Sequence, residues 1–118
     1  MKKLTLLGLL AFTITTSNQL FANEQAHSEK INIPVIENAR VFSSFTDGYP
    51  AMVNFFTDLS FTEIEQFYAT QYGSPIDQQM RYGRLELYFD NSEHRIRVIV
   101  SEQSPKREVG VFIEQQRD

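Results

Sequence analysis

The sequence predicts an α+β fold with the element order ββαβββ, an antiparallel sheet of about five strands with one helix packed on one face. Three observations carry this prediction. Residues 61–72 show helical periodicity, residues 84–114 alternate apolar with polar residues, and an Asp-Gly turn divides the strand-like region 39–58. With 118 residues and no cysteine, the chain is long enough for one domain and contains no disulfide framework.

The first two strands are predicted at 39–45 and 51–58. The Asp-Gly pair at 47–48 lies between them and is a strong hairpin signal, because tight hairpin turns need residues that accept a positive φ. In the second strand, Phe55 and Phe56 are adjacent and must therefore point to opposite faces of the sheet.

The helix is predicted to span 61–72 and begins with a capping box. The Ser60 side chain can accept a hydrogen bond from the Glu63 amide, while the Glu63 carboxylate accepts one from the Ser60 amide. Gly73 then provides a C-terminal stop. Apolar residues recur at helical spacing on one face, and we interpret this stripe as core. It contains Phe61, Ile64, Phe67, Tyr68 and Tyr72.

The region 84–114 predicts a three-stranded antiparallel meander with one face buried, because apolar and polar residues alternate along each strand. A tight first turn that pairs Asp90 with Glu93 would place Leu87 opposite Ile96. On the outer face, this register pairs Glu86 with Arg97 and Tyr88 with Arg95.

The second turn of the meander predicts a register as well. It places Val98 opposite Val111 and Arg95 opposite Glu114, so that apolar side chains meet apolar ones and a base meets an acid. The segment 79–82 either extends the first strand of the meander or forms a short piece of its own, with a bulge at the glycine that follows.

Residues 1–22 predict a secretion signal peptide. Two lysines precede an apolar stretch of 13 residues, and Ala22 offers a small residue for cleavage. A membrane anchor that stays in place would need about 20 apolar residues, and 13 are too few. The mature chain is thus expected to have no transmembrane span. We therefore expect a periplasmic or secreted protein, with a flexible leader and extended arm at 23–38 and a single folded domain at 39–118.

The charge of the mature chain narrows the classes of partner. Removal of the signal takes two lysines and no acid, which leaves 9 basic and 15 acidic residues and a net charge of −6. Nucleic-acid binding depends on clustered lysine and arginine, so we expect no nucleic-acid partner. Binding to anionic membrane surfaces is disfavoured for the same reason.

The chemistry-bearing residues point away from catalysis. His27 lies in the polar leader, and His94 follows a turn that also contains Asp90 and Ser92. A hydrolase that uses His94 is the least favoured function, because no motif surrounds the serine and a surface histidine at a strand start explains the pattern. One histidine in the folded domain and no cysteine do not make a typical zinc site. We therefore expect no enzyme, no cofactor and no metal.

The favoured hypothesis is a non-enzymatic binding or accessory module of the bacterial envelope that engages a protein partner. The contact would use an open sheet edge, the arm at 31–36 or the sheet face away from the helix, which carries arginine and aromatic residues of the kind that interfaces favour. A solvated face with ion pairs would explain the same residues. The candidate binding residues are Arg84, Tyr88, Arg95, Arg97, Ile99 and Phe112.

A second hypothesis is a module that binds a small apolar ligand. Its pocket would lie between the helix and the sheet, where tyrosine hydroxyls would provide polar contacts. The candidate lining residues are Phe67, Tyr68 and Tyr72.

Overall fold

The computed structural model describes residues 30–116, which form six antiparallel strands in one sheet and one helix. The predicted signal peptide at 1–22 and the first part of the leader lie outside the described residues. The elements in chain order are β1 (Arg40–Phe45), β2 (Ala51–Thr57), α1 (Phe61–Tyr72), β3 (Asp77–Arg81), β4 (Arg84–Asp90), β5 (His94–Gln103) and β6 (Lys106–Gln115).

The structure confirms the α+β class and the antiparallel sheet, but it corrects the strand number and the order to ββαββββ. The additional strand is β3, which pairs with β4 throughout its length. Tyr82 and Gly83 join the two strands with φ values of 53° and 74°. Two successive positive φ angles are typical of a type I′ hairpin turn, so Gly83 is a turn residue and the predicted bulge there is wrong. A tyrosine at the first turn position gave no turn signal.

The strands lie in the order β1-β2-β6-β5-β4-β3. The β1–β2 hairpin therefore docks beside the last strand of the chain, and β1 and β3 are the two edges of the sheet. Helix α1 connects β2 to the far edge strand β3, so the connection must pass across β6, β5 and β4. This crossing places the helix on one face only, here named the inner face.

Helix α1 has the predicted bounds, and its cap is confirmed. The Ser60 hydroxyl oxygen accepts a hydrogen bond from the Glu63 amide at 3.2 Å, and the Glu63 carboxylate accepts one from the Ser60 amide at 2.9 Å. At the other end, the Gly73 amide donates to the Ala69 carbonyl at 2.8 Å. These contacts satisfy backbone groups that a helix end leaves without partners.

The core lies between the inner face and two covering elements. Helix α1 contributes Ile64 and Tyr68, both fully buried. The extended segment before β1 contributes Ile33 and Ile36, which are 7% and 5% exposed. The Tyr68 hydroxyl joins the two covers by donating a hydrogen bond to the Pro34 carbonyl at 2.8 Å. The sheet contributes Ala51, Val53, Phe55, Leu85, Leu87, Phe89, Ile96, Val98, Val100, Val109, Val111 and Ile113.

The register between β5 and β6 is the predicted one. Val98 lies opposite Val111, and Arg95 lies opposite Glu114. A shift of one residue would turn every side chain of a strand to the other face, and the second turn of the meander selected this register among those that keep the alternation.

The predicted register between β4 and β5 is wrong by two residues. Phe89, rather than Leu87, lies opposite Ile96, and Asp90 lies opposite Arg95. A shift by an even number leaves each side chain on its predicted face. It changes the neighbours, however, because Tyr88 pairs with Arg97 instead of Arg95, and Glu86 pairs with Ile99 instead of Arg97.

The cause of this shift is a turn that lies one residue further along the chain than predicted, because the Asn91 amide donates to the His94 carbonyl at 3.0 Å and these two residues flank the turn. Asn91 Oδ1 accepts hydrogen bonds from the backbone amides of Glu93, at 3.0 Å, and His94, at 2.7 Å. A side-chain oxygen thus takes the place of a backbone acceptor in the turn, as asparagine often does.

Candidate functional site

The candidate site is the face of the sheet opposite α1, here named the outer face. Paired residues of neighbouring strands point to the same side, so the registers define rows that run across the sheet. One row crosses all six strands and is here named the central row. It contains Phe45, Met52, Phe112, Arg97, Tyr88 and Asp77, in order from β1 to β3.

The half of the outer face near β1 contains exposed aromatic side chains. Phe42 and Phe45 are 50% and 65% exposed, although both are large apolar side chains. The pairing of β1 with β2 is irregular between Val41 and Ser43, and the ring of Phe42 packs on that of Phe56 with 4.8 Å between centroids. Bulges of this kind redirect side chains. Phe45 lies opposite Met52, and the Ser43–Asn54 pair separates these two residues from Phe42 and Phe56. We name the set of Phe42, Phe45, Met52 and Phe56 the aromatic patch.

Sequence reasoning did not assign this patch to the site. Alternation in β1 and β2 left the facing of the first hairpin open, because a bulge changes the side to which later residues point. An Asp-Gly turn signals that a hairpin forms and carries no information on which neighbour it docks beside. Only the pairing of β2 with β6 shows that the patch adjoins Phe112.

The half of the outer face near β4 is polar and internally paired. The Glu86 carboxylate accepts a hydrogen bond from the Tyr88 hydroxyl at 2.8 Å, and Arg84 lies 3.4 Å from it. The Tyr88 hydrogen bond and the nearby Arg84 guanidinium hold the pKa of Glu86 below its usual value. The same hydrogen bond raises the pKa of Tyr88. The Glu86 carboxylate thus already has a hydrogen bond from Tyr88 and an ion pair with Arg84.

Between the two halves lies a stack of three residues. Gly110 is buried, and a Cβ placed on it would come within 2.7 Å of Asn54 Oδ1 and 3.1 Å of the Phe112 ring. The ring of Phe112 therefore lies close against the backbone of Gly110. The guanidinium of Arg97 lies over the Phe112 ring, with Cζ 5.1 Å from the ring centroid. A cation at this distance from an aromatic face is attracted by the ring electrons.

All six predicted binding residues lie on the outer face, and the structure brings half of them together. Tyr88, Arg97 and Phe112 are neighbours in the central row. Arg95 lies nearer one end of the sheet, where it forms an ion pair with Asp90 at 3.7 Å. Arg84 pairs with Ser101, two rows away from the central row, and Ile99 lies between these rows opposite Gly110.

The three predicted pocket residues differ in their surroundings. Tyr68 is fully buried, and its ring lies edge-on to that of Phe67, with 4.8 Å between centroids. A cavity of about 250 Å³ does lie at the end of α1, and Tyr72 lines it together with Tyr49, His94 and residues 30–32. The Tyr72 hydroxyl is buried and has no hydrogen-bond partner within residues 30–116, and burial raises its pKa to about 12.

His94 packs on an aromatic neighbour. Its ring stacks on that of Tyr49 with 5.0 Å between centroids. Across residues 30–116, no side-chain hydrogen bond joins it to Ser92 or Asp90, and no group of three or more histidine and acidic side chains is placed to hold a metal ion.

Comparison of the chain with family models, curated proteins and solved structures finds no match. Within the part of the chain that the structure describes, no helix has both the length and the apolar character needed to cross a membrane.

Proposed function

We propose that the protein is an exported, non-enzymatic binding module of the bacterial envelope that holds a protein partner on its outer face. The observation that carries the proposal is the aromatic patch beside Phe112. Single exposed apolar side chains are ordinary on a protein surface. Several that adjoin one another on one face are typical of interaction sites.

The fold has little need of the outer face for its own core. The inner face contains the fully buried side chains, such as Phe55 and Leu87, and both covers pack there. Phe42 and Phe45 contribute half or less of their surface to the fold. The presence of large aromatic side chains on a solvent-exposed face supports its role as a contact surface. Such side chains release much free energy when a partner removes them from water.

The outer face also supplies rigidity. Each residue of the central row lies on a strand that is hydrogen-bonded to its neighbours, and β5 and β6 pair over ten residues. Side chains held on such a scaffold lose little conformational entropy when a partner binds. Aromatic residues and arginine are also the types that most often dominate binding energies at interfaces.

The proposal is tested by photo-crosslinking in the cells from which the protein comes. A photoreactive amino acid replaces Phe45 on the outer face, or Gln71 on the exposed side of α1 as the matched control. We expect a dominant cross-linked protein from position 45 and none from position 71. Equal products from the two positions, or no product from position 45, would contradict the use of this face.

A small-ligand binder is the second candidate, because the buried Tyr72 hydroxyl beside the cavity has no hydrogen-bond partner among residues 30–116. The lining includes apolar Ile96 and Ile113 as well as His94, which suits a small ligand with both apolar and polar groups. Native mass spectrometry of the protein from its own cells would then show an added mass that is absent from Asn32→Trp, a change at an exposed lining position. An unchanged mass would contradict this candidate.

A further inference from the structure

Arg97 differs from its arginine neighbours because the fold gives it no acidic partner. Among residues 30–116, Arg84 pairs with Glu86, Arg95 with Asp90 and Arg107 with Glu102, whereas no carboxylate lies within ion-pair distance of Arg97. Its side chain is exposed and stands in the central row. Three acids lie one row away on the adjoining strands: Glu86, which Tyr88 and Arg84 engage, Asp90, which pairs with Arg95, and Glu114, which lies opposite Arg95.

The position of Arg97 is nevertheless defined. The Phe112 ring supports its guanidinium from one side, and Tyr88 stands opposite it on β4. A guanidinium is planar and can donate two parallel hydrogen bonds to a carboxylate, so its orientation matters for recognition. Support by an aromatic ring leaves the donor edge of such a group free for a carboxylate from outside.

The aromatic patch lies at a defined distance from this arginine. In the central row, Met52 is two strands from Arg97 and Phe45 is three strands away. Neighbouring strands are about 4.8 Å apart, so these separations are about 10 Å and about 14 Å. An extended peptide rises about 3.3 Å per residue and covers either distance in about three or four residues.

We infer that the partner of the outer face presents an acidic, apolar segment that crosses the strands along the central row. Its aspartate or glutamate binds Arg97, and an aromatic or aliphatic side chain three or four residues away packs on Phe45 and Met52. The inference rests on the proposed function, since it names the chemistry of the partner that this face holds.

Charge supports an acidic segment at this one place. The chain without residues 1–22 has a net charge of −6, which opposes the approach of acids to most of its surface. Five arginines lie on the outer face, and in the central row Arg97 is the one base. Arg97, which the Phe112 ring supports and which has no ion pair among residues 30–116, gives a carboxylate a favourable position within the central row and thereby fixes the register of the segment.

The test is selection of a random dodecapeptide display library on the purified protein, followed by affinity measurements for the enriched peptides. We expect enriched sequences with Asp or Glu three or four residues from an aromatic or aliphatic residue. The best peptide should bind Arg97→Gln about tenfold or more weakly, because a charge-assisted hydrogen bond is lost. Arg97→Lys should be intermediate. The control Lys106→Gln, which changes a base paired with Asp58 three rows from the central row, should bind like the wild type.

The possible failures separate the two proposals. Enriched peptides without an acid overturn the acidic segment, and so do peptides that bind Arg97→Gln as tightly as the wild type. In either case, weaker peptide binding by Phe45→Ala still supports the use of the outer face. Peptides that are insensitive to both variants, or a library that gives no binder, overturn both. A dimer in sedimentation equilibrium that Phe45→Ala dissociates would assign the face to a second copy of the chain and overturn the external segment. Circular dichroism and thermal unfolding of each variant verify that it is folded.

Discussion

The two faces of one sheet are built from the same strands by different rules. On the inner face, apolar side chains of the four central strands β2, β6, β5 and β4 meet across each pair, and the two covers close over them. On the outer face, half-exposed aromatics, ion pairs and a buried glycine occur in neighbouring rows. The comparison teaches that packing fixes the residue type at almost every inner position, whereas the outer positions are free to vary and their aromatic residues require another explanation.

Phe55 and Phe56 give the sharpest form of this comparison, because they are adjacent and point to opposite faces. Phe55 is fully buried, and Phe56 is half-buried against Phe42. We expect Phe55→Ala to lower the free energy of unfolding by about 3–5 kcal/mol through lost burial and a residual cavity. Phe56→Ala should lower it by about 1 kcal/mol, the scale of one aromatic contact.

Urea unfolding of both variants, monitored by circular dichroism, measures the two changes. Similar losses at the two positions would show that the outer face also stabilises the fold, and would weaken the case that its aromatics serve a partner.

Two tyrosine hydroxyls under the inner face allow a finer comparison. That of Tyr68 donates to the Pro34 carbonyl, while that of Tyr72 is buried without a partner in residues 30–116. Tyr68→Phe should lower the free energy of unfolding by about 1–2 kcal/mol, because it leaves the carbonyl without its hydrogen bond. Tyr72→Phe should leave the stability unchanged or raise it by up to about 1 kcal/mol, because it removes an unsatisfied polar group.

Thermal and urea unfolding of the two phenylalanine variants distinguish these outcomes. If Tyr72→Phe destabilised the protein as much as Tyr68→Phe does, its hydroxyl would have a partner in solution, and the small-ligand candidate would gain support.

The sequence was most informative where local chemistry decides the structure. The capping box at Ser60 and the glycine at 73 defined the helix within its observed bounds. Alternation identified the inner face, because a slip by one residue would expose the whole apolar row, and together with the turn after β5 it indicated the β5–β6 register. It could not fix the β4–β5 register, since a slip by two preserves the alternation and only the Asn91 side chain distinguishes the two turns.

The candidate site was partly predictable for the same reason. Arg97 and Phe112 were assigned to one face by alternation and to one row by the correct β5–β6 register. The aromatic patch depends on where the first hairpin docks and on the bulge near Phe42, and neither has a local signal in the sequence. Long-range strand order is set by how the whole core packs rather than by any single turn.

The smallest expected effect concerns Glu86 on the outer face and appears as a dependence on pH. The hydrogen bond from Tyr88 and the Arg84 charge lower the pKa of Glu86 from 4.5, so the ionised carboxylate stabilises the folded state above that value. This contribution is lost as the pH falls from 4.5 through the lower pKa of the folded protein. Glu86→Gln should therefore be slightly less stable than the wild type at neutral pH, and the difference should shrink in acid. Urea unfolding between about pH 7 and about pH 3 measures this difference in stability.

The control is Glu108→Gln on the same face, where the described residues provide no ion pair. A difference between wild type and Glu86→Gln that stays constant with pH would show that Tyr88 and Arg84 do not hold the carboxylate in solution. Tyr88 and Arg84 would then no longer occupy Glu86, which would be free to turn toward Arg97 and compete with an incoming acid.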